Sequence, residues 1–175
     1  ADMRDAGVVA VGDDCRTIAD SGLMRRALEY AATFDLCVLA HAEDRALAGG
    51  GHMHEGTVST RCGIPGQPAQ AEAAVVARDM ELVELTGARY HLQHVSTAQS
   101  LGHLRRAKKK GLPVSCEVSS LHLWLTDEVC KRYDPRTKLR PPLRSAEHVE
   151  ALKEAVADGT VDAIVSDHLP QTSLE

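Results

Sequence analysis

The chain has 175 residues and a net charge of −5, with 43% hydrophobic, 26% charged and 3% aromatic residues. That balance supports one folded domain burying roughly 70% of its unfolded surface, and it argues against nucleic acid as a partner and against a base-stacking platform. No apolar run approaches the ~20 residues of a membrane span, and the polar, acidic stretch Ala1 to Asp5 has no signal-peptide pattern.

Gly7 to Gly12 is a short apolar run ending in Asp13 and Asp14, and it reads as a strand. Asp20 reads as the N-cap of a helix with Leu23, Ala27, Leu28, Ala31 and Phe34 on one face. Leu36 to Ala40 is the second strand, ending in His41-Ala-Glu43-Asp44. A glycine-rich loop follows from about Arg45 to Gln67, longer than ordinary βα loops, and is expected to shape a site. Pro68 to Leu85 predicts a long helix with Gly87 as its stop. The third strand, Ala88 to Gln93, ends in His94, and Ser96 or Thr97 caps a helix running to Lys110. The basic cluster Arg105 to Lys110 complements the dipole at that helix end. Gly111 to Val118 is the fourth strand. Leu121 to Arg132 predicts a short helical piece, Tyr133 to Arg144 a Pro-rich loop, and Ser145 the cap of a helix over Ala146 to Ala157. Asp158 and Gly159 turn the chain into a fifth strand, Val161 to Val165, read as buried, which ends in Asp167-His168 and is stopped by Pro170. The five cysteines form no CxxC pair, Cys37 and Cys116 read as core residues, and a reducing, cytoplasmic setting is expected.

Strand and helix alternate through five units, which predicts a parallel sheet with helices outside. A closed (β/α)8 TIM barrel takes about 250 residues. Residues 1–175 are therefore expected to be part of a single barrel domain, about five βα units, with both ends missing. A doubly wound sheet is the alternative, but no glycine-rich phosphate loop follows the first strand. Barrel chemistry gathers where strands end. Asp14, His41, His94 and Asp167 stand at four of those ends, and imidazole with carboxylate is a donor set for zinc. One such histidine alone would more often be structural. Four ligand-type residues in regular places point to a divalent metal that acidifies water and polarises a carbonyl.

The motifs carry a resemblance. Asp13-Asp14, His41-Ala-Glu-Asp44, His54-Glu-Gly56, Gly63-Ile-Pro65, His94-Val-Ser-Thr97, Cys116-Glu-Val118, Pro141-Pro-Leu-Arg144 and Ser166-Asp-His168 are in the order and spacing of dihydroorotases of the long-chain bacterial type, in the amidohydrolase superfamily. The resemblance covers nearly the whole chain. It implies a (β/α)8 barrel, one or two zinc ions, and reversible hydrolysis of L-dihydroorotate to N-carbamoyl-L-aspartate in pyrimidine biosynthesis. It implies that Asp14 bridges the metals, that His41 and His94 hold the second metal, and that Asp167 holds the first and acts as general base. The family's first-strand His-x-His pair is expected upstream, and His52-Met-His54 mimics it by accident. A homo-oligomer is expected.

The chain departs from the family pattern at Glu117-Val-Ser-Ser-Leu-His122, where the family reads Glu-Val-Thr-Pro-His-His, and at two substrate contacts. Arg140 stands where the family has a substrate-contacting Asn, and Gln171 where it has a His on the substrate carboxylate. Both are candidate substrate-binding residues, since a guanidinium grips a carboxylate bidentately. The alternative function is a non-catalytic dihydroorotase-like subunit that scaffolds aspartate transcarbamoylase. Such subunits resemble this chain in Leu139 to Arg144 and Ala31 to Leu36. A third reading is an amidohydrolase for a hydantoin or allantoin, but those relatives use a carboxylated Lys where this chain has Asp14.

Overall fold

The computed structural model describes residues 2–13 and 16–168. The first half runs α1 (Asp2–Asp5), β1 (Ala10–Gly12), α2 (Ser21–Thr33), β2 (Cys37–Ala40), α3 (Arg45–Ala48), β3 (Met53–His54), α4 (Thr57–Cys62) and β4 (Gly66–Gln67). The second runs α5 (Gln70–Thr86), β5 (Tyr90–Leu92), α6 (Ala98–Lys109), β6 (Val114–Ser119), α7 (Ser120–Trp124), 3-10 turns at Asp127–Arg132 and Pro135–Thr137, α8 (Ala146–Ala157) and β7 (Ala163–Val165).

Among the described residues, five strands form one parallel sheet in the order β1-β2-β5-β6-β7. Order in space follows order along the chain. A doubly wound sheet must reverse at a switch point, whereas this one winds in a single direction, as a barrel does. Right-handed crossovers then place the helices on one side. There α2 packs on α5, α5 on α6 and α6 on α8. Strand alternation sends Val38, Ala40, Tyr90, Leu92, Val114, Cys116 and Val118 into a core with Met24, Leu28, Val76, Met80, Leu104 and Leu152 from the helices. The other sheet face is more polar: His91 there contacts Ser115 Oγ at 2.8 Å and Glu117 Oε2 at 3.1 Å.

Local signals placed most helix ends. The Asp20 carboxylate accepts from Leu23 N at 2.6 Å, Gly87 turns left-handed at φ 67°, and Thr97 Oγ1 accepts from Ser100 N at 3.3 Å. Ser145 stands at its cap position without a side-chain cap bond. Among the described residues no helix is long and apolar enough to cross a membrane.

Four expectations need correction. The first strand begins at Ala10 rather than Gly7, because Asp2–Asp5 form a helical turn before it. The stretch from Leu121 to Arg132 is interrupted, giving α7 and then a 3-10 turn. The loop from Arg45 to Gln67 is ordered into α3, α4 and the parallel pair β3 and β4. Strands of two residues show no period. The pair forms because Gly51 and Gly66 let backbones touch: a Cβ on Gly51 would lie 2.4 Å from Gly66 O. Beside it, Met53, Val58, Cys130 and Leu143 make a second small core. Finally, β7 is not buried: Ile164 is 55% exposed, because β7 is an edge of the sheet among the described residues.

Candidate metal centre

Because the strands are parallel, the residues that follow them collect at one end of the sheet. His41 follows β2, and His94 follows β5 after one residue; both are buried, at 2% and 6% exposure. Nδ1 of His41 lies 3.4 Å from Nε2 of His94, with the rings edge to face and centroids 4.9 Å apart. Burial first, then the neighbouring His94, holds His41 below the ordinary imidazole pKa. A neutral ring keeps a nitrogen lone pair for a metal. Two nitrogens on one tetrahedral zinc stand about 3.4 Å apart, given Zn–N distances of about 2.0–2.1 Å. The donor pair therefore fits a shared metal.

Asp13 closes the end of β1. Its Oδ1 accepts from His41 N at 3.0 Å, while its Oδ2 is buried without a hydrogen-bond partner among the described residues. Asp14 and Gln171 lie outside the described residues. Asp167 follows β7 and is exposed, in a left-handed turn at φ 50°. Among the described residues no three His, Cys, Asp or Glu side chains converge to hold a metal ion; His41 and His94 bring two donors together.

Glu43, two residues past His41, belongs to the same centre. It is 7% exposed, and its Oε2 lies 3.6 Å from His41 Nε2. Nε and Nη2 of Arg140 donate to its two oxygens at 2.9 and 2.5 Å. Burial acts to raise the Glu43 carboxyl, but the Arg140 hydrogen bonds and charge outweigh it and hold the group below its usual range. Arg140 thus reaches the centre and grips a carboxylate, and that carboxylate is the protein's own. Thr17 braces the same turn, its hydroxyl donating to His41 O at 2.5 Å and accepting from Glu43 N at 3.0 Å.

A second buried network lies behind His94. Glu72, in the first turn of α5, accepts from the amides and hydroxyls of Ser96 and Thr97. Arg144, 1% exposed, donates to Ser96 Oγ at 3.0 Å and to Gln67 O at 3.1 Å. Its Nη1 lies 3.4 Å from His54 Nδ1, and the His54 ring packs edge-on against His148. His54 therefore belongs to this network. Burial first, then the Arg144 charge, depresses it to about 4. Sequence reading missed Glu72. Its one signal was a carboxylate on the apolar stripe of Ala71, Val75 and Val76.

Comparison with known proteins follows the same lines. The dihydro-orotase-like family model matches residues 1–100. A dihydroorotase of Pelotomaculum thermopropionicum is 51% identical over 174 residues, covering 99% of this chain and 41% of its own length. One of Deinococcus radiodurans is 49% identical over 173 residues, covering 99% of this chain and 42% of its own. The chain thus spans about two fifths of the length of the curated relatives it matches. Among solved structures, the D-hydantoinase (dihydropyrimidinase) of Thermus sp. superposes with a TM-score of 0.76 at 28% identity, over 87% of this chain and 35% of that one. The L-hydantoinase of Arthrobacter aurescens gives 0.76 at 26%, over 95% and 39%.

Proposed function

Since this chain belongs to the dihydro-orotase-like family, we propose that it is the metal-bearing part of a dihydroorotase that interconverts L-dihydroorotate and N-carbamoyl-L-aspartate. The observation that carries the reading is the buried His41–His94 pair at two strand ends, with nitrogens 3.4 Å apart. A scaffold without chemistry has no need of two buried imidazoles whose nitrogens face each other at 3.4 Å, since desolvating polar groups is costly.

In this reading residues 1–175 continue into a longer single (β/α)8 domain. His41 Nδ1, His94 Nε2 and Asp14 would hold zinc, with one or two ions in the complete site. Bound there, zinc would polarise the ring carbonyl and acidify water. Asp13 and Thr17 hold the backbone at His41. Glu43 stands at the far nitrogen of His41 and favours a proton there, which leaves Nδ1 to the metal. Hydrolysis forms a C–O bond from water and breaks the ring C–N bond. Asp167 would take the proton from water and return it to the leaving ring nitrogen. Arg140 and Gln171 would face the substrate carboxylate. The described cysteines Cys37, Cys62, Cys116 and Cys130 are free, which suits a reducing, cytoplasmic setting. A homo-oligomer is part of the proposal.

The test uses the full-length protein. Zinc content after metal loading and steady-state hydrolysis of dihydroorotate are measured for wild type, His41→Ala and His94→Ala. Stoichiometric zinc and turnover in wild type, with both lost in the variants, are expected. Wild type with only trace zinc and no turnover above buffer sinks the reading.

A further inference from the structure

His94 sits in a left-handed turn at φ 36°, a conformation that non-glycine residues adopt at a cost. Something must hold it there. Gln93 N donates to Ala40 O at 3.0 Å and Val95 N to Glu117 O at 2.8 Å, so neighbouring strands hold the near side of the turn. The far side is Ser96 and Thr97, and every hydrogen bond recorded from their amides goes to Glu72. Ser96 N lies 3.2 Å from both carboxylate oxygens, Thr97 N donates at 3.1 Å and Thr97 Oγ1 at 2.9 Å, and Ser96 Oγ makes a short contact as well. A carboxylate has about four acceptor sites, and here one turn fills them. Glu72 is 3% exposed, and the Arg144 guanidinium 3.9 Å away supplies the opposite charge.

We propose that Glu72 is the positioning residue of the metal centre: its buried carboxylate clamps the turn at His94 and so keeps Nε2 of His94 against Nδ1 of His41. Arg144 is the second half of the clamp. It ties Ser96 Oγ to Gln67 O of β4, so the ordered loop that ends in β4 is tied to the same turn. A plain helix cap would need one acceptor for α6, and Thr97 already provides it to Ser100 N. The remaining contacts act on the backbone next to His94. The inference rests on the metal reading of His41 and His94 for its consequence, but its geometry can be read without metal.

The full-length protein is tested as wild type, Glu72→Gln, Thr97→Val and Leu152→Ala, the last a core change on α8 that makes no hydrogen bond to the turn and matches a purely structural loss. Amide hydrogen exchange at Ser96 and Thr97 is followed in the metal-free protein, with nitrogen-15 spectra of the His41 and His94 rings. Zinc affinity is measured by competition with a chelator on samples shown to be folded. Glu72→Gln should speed exchange of both amides at least ~10-fold, shift the His94 ring signals, and weaken zinc binding roughly 10- to 100-fold, the range for residues that orient ligands. Thr97→Val, which keeps the amide bond to Glu72, should weaken it less. Leu152→Ala should lower the melting temperature and leave zinc affinity unchanged. Glu72→Gln that loses only melting temperature, with ring signals and zinc affinity as in wild type, overturns the clamp. If wild type binds no zinc while Glu72→Gln still frees the amides and shifts the ring, the metal reading fails and the clamp on His94 stands.

Discussion

Arg140 commits two arms of its guanidinium to Glu43, which in turn stands 3.6 Å from His41 Nε2. Substituting it therefore acts on the surroundings of the His41–His94 pair as well as on any substrate anion. Under the proposed dihydroorotase function, Arg140→Ala in the full-length protein should lower kcat/KM for dihydroorotate at least ~10-fold, about 1.4 kcal/mol of transition-state stabilisation. It should also leave Glu43 buried without its cation, and its carboxyl should titrate at higher pH than in wild type. The depressed Glu43 carboxyl contributes stability that is present above the usual value of 4.5 and is lost as pH falls through its lower folded value. Kinetics together with a carboxyl titration check both effects; unchanged turnover removes Arg140 from the substrate side, and an unchanged Glu43 titration removes the coupling.

His54 has the same sign of pH dependence, in a higher window. Its folded pKa of about 4 lies below the ordinary 6.5, so the unfolded chain takes up the proton first. The stability it provides is complete above about pH 6.5 and is lost as pH falls toward about 4. His54→Gln should flatten that dependence, by on the order of 1–2 kcal/mol between roughly pH 7 and pH 5. Denaturant melts at the two pH values check it. Parallel wild-type and variant curves would show that His54 is not a titrating member of the network.

At the scale of elements, the stretch between β2 and α5 is the part that a strand-and-helix reading leaves as loop. It is held by close backbone contact rather than by a long apolar face. A Cβ on Gly66 would meet Glu55 Cα at 2.5 Å, and backbone cannot yield as a flexible side chain does. Gly66→Ala should destabilise the protein by about 1–3 kcal/mol. Because Gln67 O accepts from Arg144, the damage should extend to the Arg144 network. Thermal melts and amide exchange at Gln67 and Ser96 check this; exchange altered at Gln67 alone would show that β4 and the His94 turn are not coupled. The helices were easier to read, since Asp20, Gly87 and Thr97 act on their own few neighbours.

At the scale of the molecule, the sheet order β1-β2-β5-β6-β7 leaves β7 as an edge among the described residues, with Ile164 beside Val118 in register and 55% exposed. If a longer barrel covers β7, Ile164→Lys should cost about 2–4 kcal/mol in the full-length protein, where the charge would be buried. In residues 1–175 alone it should change stability by under about 0.5 kcal/mol. Denaturant unfolding of both forms decides it, and equal effects would argue against barrel closure over that face.

The alternation of strands and helices was legible because periodicity and caps are local: each residue reports its own face and its own helix end. Parallel strands then place whatever follows them at one end, so His41 and His94 could be named from position alone. Their partners could not. Glu43 meets Arg140 across 97 residues, and Glu72 meets Ser96 across 24. A buried carboxylate looks the same in sequence as an exposed one until the fold supplies the amides or the guanidinium that satisfy it. His54 likewise read as a mimic of a metal motif, and the packing of Arg144 and His148 determined what it touches. The sequence by itself determined the order of the five main strands with the helices between them, and the two histidines at strand ends. Tertiary structure alone decided which distant charges neutralise each other around them, because desolvation leaves a buried charge stable only where its partner arrives.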